Sequence, residues 1–251
     1  RPTPGYGPAW PTLPSEGGAS GAGVRAPERM NLEAVVPHLP RALRRPFRRV
    51  AYFPADVRDA WAGRRDPLVP PRGLLAVGEG DYRKVGDLLL GLFRDAAGLE
   101  PFHRVLDIGC GIGRVAVALT GYLDARGSYD GFDVVRADVR WCRRSISPRF
   151  PRFRFRHADV ANSEYNPRGA VDPEKFVFPY SDASFDFAFA TSLFTHLGPR
   201  TASRYLTEIA RVLAPDARLF VTSFLLDETS REAAASGRTG YAFEHVLGGG
   251  A

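Results

Sequence analysis

The sequence is poor in residues that would cross-link it. Cysteine occurs twice among 251 residues, at positions 110 and 142, and neither has a second cysteine or a histidine at zinc-finger spacing. Two thiols cannot hold a chain of this length as a disulfide framework, and their isolation argues against a structural metal. We therefore expect a protein of a reducing, cytoplasmic compartment without a bound metal ion.

Long apolar runs are missing as well. No segment reaches the roughly 18 consecutive apolar residues that a membrane-spanning helix requires. The chain does not open on a basic segment followed by an apolar run, so its start does not resemble a secretory signal. We therefore expect neither a spanning helix nor a membrane partner.

Lysine is scarce, since only Lys84 and Lys175 stand among the 34 basic residues. The formal net charge of +6 comes almost wholly from residues 1–66, which hold 11 arginines and 6 acids. Residues 67–251 carry 23 basic and 22 acidic side chains and are close to neutral. A charge confined to the first segment does not indicate a nucleic-acid partner, and we expect none.

Three regions differ in composition. Residues 1–24 hold five prolines and six glycines without apolar periodicity, so we predict a disordered tail over 1–30. Residues 31–74 remain punctuated by proline and include a cluster of five arginines. We predict short helical pieces there, forming an N-terminal helical or lid segment. Residues 75–251 alternate between apolar patterns and are predicted to form the main domain.

Strand and helix patterns alternate along this main domain. A helical pattern begins after Asp81, a candidate N-cap, and further helices follow the first strand and begin at Pro199. Strand-like runs occur at 103–108, 128–133, 153–158, 185–190 and 218–225. This alternation predicts an α/β fold with a doubly wound, mostly parallel sheet, whose ligands bind beyond the carboxyl ends of the strands.

The turn after the first predicted strand carries glycine at every second position. Asp107 is followed by Gly109, Gly111 and Gly113, and a helix is predicted to begin near the last of these. Glycine lets the backbone turn tightly and approach a ligand, and the helix points its first amides at that ligand. Asp133 ends the second strand, where a carboxylate can accept hydrogen bonds from two ribose hydroxyls.

These residues resemble the first motifs of class I S-adenosylmethionine-dependent methyltransferases. The resemblance implies a Rossmann-like methyltransferase fold and S-adenosyl-L-methionine as the cofactor. It implies that the glycines line the methionine and ribose, that Asp107 orients the amino end and that Asp133 holds the ribose hydroxyls. The complete set that the resemblance assigns to the cofactor is Asp107, Gly109, Cys110, Gly111, Gly113, Asp133, Val134, Asp159, Val160 and Thr191.

The resemblance extends to the adenine end of the cofactor. It implies that Val134 packs on the adenine face and that the Val160 amide donates to the ring. It also implies that the carboxylate of Asp159 accepts from the exocyclic amine. An alternative for Asp159, a cap or turn residue that binds its own backbone, stays open.

The segment after the fourth predicted strand bears on the methyl acceptor. It lacks the Asn/Asp-Pro-Pro-aromatic motif of methyltransferases that act on exocyclic or amide nitrogens, and the cysteine of cytosine carbon methylation is also absent. The resemblance therefore implies a small-molecule acceptor, methylated at oxygen or carbon rather than nitrogen. His196 is the candidate general base for an alcohol or phenol. The alternative, that His196 only satisfies loop carbonyls, stays open.

Two other functions stay open on the residues alone. Gly111-x-Gly113-x-x-Ala116 also fits the loose dinucleotide fingerprint, so an NAD(P)-dependent oxidoreductase with a Rossmann domain is one alternative. The other is a domain that binds the cofactor without catalysis.

The chain departs from the family pattern near its end. Pro215-Asp216-Ala217 stands where the family commonly has Pro-Gly-Gly, and we expect the turn to be kept in altered form. Only 26 residues follow position 225. That is too little for the helix and antiparallel strand pair that complete the family's sheet, so we expect this strand pair to be missing and the domain to be truncated.

Overall fold

The structure is a computed structural model that describes residue 39 and residues 41–75, 81–223 and 227–236. The predicted tail over residues 1–30 lies outside these ranges, as does the segment after residue 236. The boundaries predicted between tail, N-terminal segment and main domain therefore stay predictions. Within the described ranges, no helix has the length and apolar character needed to cross a bilayer.

Helices and strands alternate as the sequence pattern predicts. The helices in the described residues are α1 (Arg41–Trp61), α2 (Tyr82–Asp95), α3 (Arg114–Leu119), α4 (Arg136–Ser145), α5 (Pro199–Val212) and α6 (Glu228–Ala235). The strands are β1 (Arg104–Ile108), β2 (Ser128–Asp133), β3 (Phe153–His157), β4 (Phe185–Ala190) and β5 (Leu213–Val221). Asp81 caps α2 as predicted, because its carboxylate accepts from the backbone N–H groups of Arg83 and Lys84, both at 2.9 Å.

The five strands form one parallel sheet in the order β3-β2-β1-β4-β5. The chain moves outward from β1 to β3, then crosses back to place β4 on the other side of β1. The predicted doubly wound sheet is confirmed, and its switch point lies between β1 and β4. The described residues after β5 form α6, while residues 237–251 lie outside the description, so the missing strand pair stays a prediction.

Two apolar clusters, one on each face of the sheet, hold the layers together. On one face, α2, α3 and α4 pack on the sheet through residues such as Phe93, Val117 and Val139. On the other face, α5 and the long segment before β4 contribute residues such as Ile209 and Phe178. Burial on both faces matches the near-continuous apolar strands expected of a parallel sheet.

The pairing of β4 with β5 is irregular. Phe185 pairs with Leu213 but Phe187 pairs with Arg218, so β5 carries extra residues at this point and begins five residues before the predicted run. Asp216 lies in the bulge with a φ of 63°, a conformation that favours glycine, so residues 215–217 form an irregularity within β5 rather than a turn before it. Simple alternation predicts one shared face for Phe185, Phe187 and Phe189. That prediction is wrong for Phe185, which packs in the opposite cluster; the register of β4 and β5 shifts at the same point, between Phe185 and Phe187.

The arginine-rich segment forms one long helix rather than the short pieces predicted. α1 spans 21 residues and contains Pro46 and Pro54. Its N-terminal half is fixed to α4 by Arg45, whose guanidinium donates to both oxygens of Asp138 at 3.0 and 2.9 Å. Its C-terminal half is fixed by Asp56, which accepts from the backbone N–H groups of residues 72 and 73. These anchors at both ends hold the helix together across its prolines.

Candidate active site

The glycine loop between β1 and α3 has three residues in the left-handed region. Gly109, Gly111 and Gly113 have φ values of 83°, 50° and 77°. A Cβ on Gly113 would stand 2.9 Å from both Cys142 Sγ and Ile146 Cδ1, whereas a Cβ on Gly111 would meet nothing within 4 Å. Packing thus requires glycine at position 113. At position 111 the space is open, and it is the positive φ that favours glycine.

Asp133 holds this loop from the end of β2. One carboxylate oxygen accepts from the Gly111 N–H at 2.8 Å, and the other accepts from the Val135 N–H at 2.7 Å. Loss of water around the carboxylate raises its pKa, while these two donors favour the charged form. A carboxylate has about four acceptor positions. Asp133 therefore keeps capacity for further donors such as the hydroxyls of a ribose.

Asp107 is the most deeply buried acid of the site. Its side chain is 2% exposed, and the Tyr129 hydroxyl donates to Oδ2 at 2.6 Å. Burial raises the pKa of Asp107 to about 8, and the nearby Asp133 adds to that effect. Burial thus favours the neutral form of this carboxyl until a cation approaches it.

The raised pKa of Asp107 predicts a measurable effect on stability. Between its ordinary pKa and about 8, the native chain keeps a proton that the unfolded chain has released, so the free energy of unfolding falls as pH rises. Relative to Asp107→Asn, the wild type should lose about 1 kcal/mol per pH unit across this window. Urea unfolding at a series of pH values measures the difference. Asp87→Asn, at an exposed position of α2, is the control, and parallel curves for wild type and Asp107→Asn would contradict the prediction.

A cavity of about 540 Å³ opens beyond the carboxyl ends of β1, β2 and β4. It lies at the switch point, where an open α/β sheet binds its ligands. Most of the predicted site residues line it, and they are Asp107, Gly109, Cys110, Gly111, Asp133, Val134, Val160, Thr191 and His196. The structure thus brings these residues together around one space large enough for a small ligand. Their individual roles stay predictions.

Two predicted residues, Gly113 and Asp159, are not in the cavity wall. Gly113 lies behind the loop as the N-cap of α3. Asp159 is exposed, and its Oδ1 accepts from the side-chain Nδ2 of Asn166 at 3.1 Å, a contact that differs from the backbone cap or turn of the alternative interpretation. The same Asn166 nitrogen also donates to the Val160 carbonyl at 3.0 Å. Recognition of an adenine amine by Asp159 stays a prediction.

His196 lies on the other side of the cavity, at the end of the short turn Phe194–His196. Its Nδ1 is 3.6 Å from Glu164 Oε2, and the ring of Tyr165 stands edge-on at 5.8 Å between centroids. Asn162 holds the backbone of Glu164 and Tyr165 in place, because its Oδ1 accepts from the N–H groups of both residues. With Nδ1 facing a carboxylate, Nε2 is the nitrogen available to a ligand.

Several cavity residues escaped the sequence analysis. Arg45 and Asp138 line the cavity as a bidentate ion pair, in which burial raises the pKa of Asp138 and the guanidinium opposes that effect. Ser192 lies just after β4 with a φ of 55°, a strained value for a residue with a Cβ and one that concentrates at functional sites. The arginine cluster was visible in the sequence, but nothing in its pattern distinguishes Arg45 from its neighbours.

Comparison with known proteins identifies the family of the segment that forms this site. Residues 105–216 match the family profile described as a methyltransferase domain. The matched segment contains the glycine loop, Asp133 and His196, on a parallel sheet of the order described above. This chain contains a class I methyltransferase domain. The predicted resemblance is thereby confirmed, and S-adenosyl-L-methionine is the cofactor of that class.

Individual relatives of the methyltransferase domain are distant. The chain is 30% identical over 131 residues to the O-methyltransferase rstn1 of Aspergillus nomiae, a match that covers 50% of this chain and 48% of the relative. It is 31% identical over 148 residues to the O-methyltransferase cnsE of Penicillium expansum, with coverage of 58% and 46%. The matches therefore span about half the length of these curated relatives.

Among solved structures, a protein of Pyrococcus horikoshii is 20% identical and has a TM-score of 0.46, with 64% of this chain and 65% of that chain covered. The fold class of the methyltransferase domain rests on the strand order and direction of its own sheet.

Proposed function

We propose that this protein transfers a methyl group from S-adenosylmethionine to an oxygen atom of a small molecule. The observation that carries the proposal is the single cavity into which the glycine loop, Asp107, Asp133 and His196 all open. The methyltransferase domain and the O-methyltransferase relatives support it. Oxygen is favoured over carbon because the curated relatives are named O-methyltransferases. A general base beside the cavity also suits a hydroxyl acceptor.

The residues of the cavity fit the cofactor's parts. The cofactor carries an ammonium and a sulfonium charge at one end, a ribose in the middle and an apolar, hydrogen-bonding adenine at the other. Asp107 offers a buried carboxyl to the ammonium, and the approach of this cation favours its ionised form. Asp133 offers free acceptor positions to the ribose hydroxyls, and Val134 and Val160 offer apolar contacts to adenine.

When bound, the cofactor supplies a methyl group that is already activated on a positively charged sulfur. The chain then has two tasks: to align the acceptor oxygen with that methyl and to remove the hydroxyl proton. His196 is the residue that we propose for the second task, through Nε2. Glu164 faces the opposite ring nitrogen at 3.6 Å, so it can hold the imidazole in place. Leu74, Val85 and Leu89 add an apolar wall to the cavity.

The proposal also covers the class of methyl acceptor and the cellular compartment of the protein. The acceptor is a small molecule rather than a nucleic acid, because residues 67–251 are nearly neutral and the cavity has the volume of a small-ligand site. A reducing cytoplasm suits the two free, buried thiols at Cys110 and Cys142, both of which lie against the glycine loop.

Calorimetric titration separates this function from its alternatives. We expect S-adenosylhomocysteine, the demethylated product, to bind with micromolar affinity and NAD to show no binding. Tight binding of NAD alone would overturn the proposal in favour of an oxidoreductase. A panel of phenols and aliphatic alcohols with methyl-labelled cofactor then tests transfer, and binding without transfer to any of them favours a non-catalytic domain.

A further inference from the structure

Helix α1 presents its apolar side to the outside. Its exposed apolar residues recur at helical spacing along one face, and they are Leu43 at 53% exposure, Val50 at 76%, Phe53 at 65%, Val57 at 40% and Trp61 at 92%. Surface helices of globular proteins normally turn such a stripe toward the core. We call these five residues the α1 stripe. Within the described part of the chain, nothing covers it.

The opposite side of α1, which faces the protein, is attached by polar contacts. Arg45 binds Asp138 there, and Asp56 accepts from the backbone N–H groups of residues 72 and 73. Asp59 accepts from both Arg64 and Arg72 at 3.2 and 2.6 Å. These contacts fix the rotation of the helix, so the exposure of the stripe follows from how α1 is attached to the domain.

The borders of the stripe are basic. Arg49 and Arg58 are exposed beside it, whereas the acids of the helix, Asp56 and Asp59, are turned toward the protein and engaged there. Two copies of this face would bring arginine borders against each other. An apolar stripe between basic borders matches instead the interfacial helix that lies on a membrane containing anionic lipids.

A second cavity, of about 270 Å³, lies between α1 and the segment Pro71–Leu74. Two residues of the stripe, Phe53 and Val57, form its wall together with Arg49 and Arg65. Arg65 Nε is buried and has no hydrogen-bond partner among the described residues. Asp56 also lines the cavity, but its two oxygens already accept from backbone amides. Two arginines beside apolar side chains in one cavity wall fit the phosphate of a lipid whose chains lie along the stripe.

We propose that α1 is an interfacial helix that docks the protein on the surface of an anionic phospholipid bilayer, with Arg49 and Arg65 holding a lipid phosphate. The expectation of no membrane partner rested on the absence of a spanning run, and an interfacial helix needs no such run. The proposal uses neither the cofactor nor a methyl acceptor, so it stands or falls independently of the proposed function.

Sedimentation of the full chain with vesicles tests the docking. We expect binding to vesicles of phosphatidylcholine mixed with phosphatidylglycerol at low salt, little binding to phosphatidylcholine alone, and release at high salt. Val50→Asp combined with Trp61→Asp should weaken partitioning by about tenfold or more, since it places charge in the apolar contact. Leu206→Asp, an exposed apolar position on α5, is the matched control and should bind as the wild type does.

A second variant tests the phosphate contact. Arg49→Gln combined with Arg65→Gln should reduce the preference for anionic vesicles while leaving the stripe intact, and the melting temperature of each variant reports whether it still folds. Absence of vesicle binding, or binding that the stripe variant does not change, overturns the proposal. A concentration-dependent dimer that the stripe variant disrupts would likewise overturn it and assign the face to a second copy of this chain.

Discussion

Replacement of Asp133 by alanine is expected to weaken binding of S-adenosylhomocysteine by about two orders of magnitude, or about 3 kcal/mol. The carboxylate has two tasks that alanine cannot perform. It holds the glycine loop through the amides of Gly111 and Val135, at 2.8 and 2.7 Å, and we propose that it accepts from the ribose hydroxyls. Its removal leaves both amides without their acceptor and the ribose without a partner. Calorimetry on the purified variant measures the effect.

Two further variants separate these tasks from a general loss of stability. Asp133→Asn keeps the shape but turns an amide N–H₂ toward one of the two backbone donors, so it should also lose most of the affinity. Asp87→Asn changes a carboxylate on the exposed side of α2 and should bind as the wild type does. If Asp133→Ala folds and keeps the affinity of the wild type, Asp133 has no part in holding the cofactor, and our assignment of the ribose site is wrong.

The glycine loop shows how far local sequence can predict a site. Three glycines spaced by two residues after a strand all adopt positive φ, and Asp133, 20 residues beyond Gly113, comes to lie against the same loop. Both features follow from a single βαβ unit, whose geometry is nearly fixed by strand and helix lengths. The part of the site built within this unit was therefore predictable from the order of its residues.

Elements that depend on more distant contacts were not predictable in the same way. Phe185 packs on the other face from Phe187 and Phe189, at the point where the register of β4 and β5 shifts, and no periodicity in β4 indicates it. Asp159 sits in a turn closed by Asn166, so its side chain is directed by a residue that belongs to no motif. Arg45 enters the cavity wall only because Asp138 binds it across 93 residues of chain. In each case the position of the side chain is set by a long-range partner rather than by its neighbours in sequence.

The orientation of α1 on the protein was not predictable from the sequence either. The sequence predicts only short helical pieces in this segment, and the amphipathic character of the helix does not say which side meets the protein. Arg45 and Asp56 decide this, because their contacts with Asp138 and with the backbone of residues 72 and 73 attach the polar side. Tertiary contacts alone thus determine that the apolar side of α1 is exposed.

His196→Gln is expected to lower kcat for a hydroxyl acceptor by about 100-fold, with the affinity for S-adenosylhomocysteine unchanged. Glutamine preserves much of the side-chain volume and can still satisfy loop carbonyls, but it cannot take a proton. The two interpretations of His196 therefore predict different results. A general base loses most of its rate, whereas a residue that only satisfies the loop retains it. Initial rates with the best phenol of the acceptor panel, at saturating cofactor, measure the difference.

Two companion variants separate the loss of a general base from other effects on kcat. His103→Gln changes a histidine that lies before β1, where Nδ1 accepts from the backbone N–H of Glu100, so kcat should stay at the wild-type value. Glu164→Gln removes the carboxylate 3.6 Å from His196 Nδ1 and should produce a smaller fall in kcat, because the ring keeps its proton acceptor but loses the group that orients it. If His196→Gln turns over at the wild-type rate, the hydroxyl proton leaves by another route, and the histidine is a structural residue of the loop after β4.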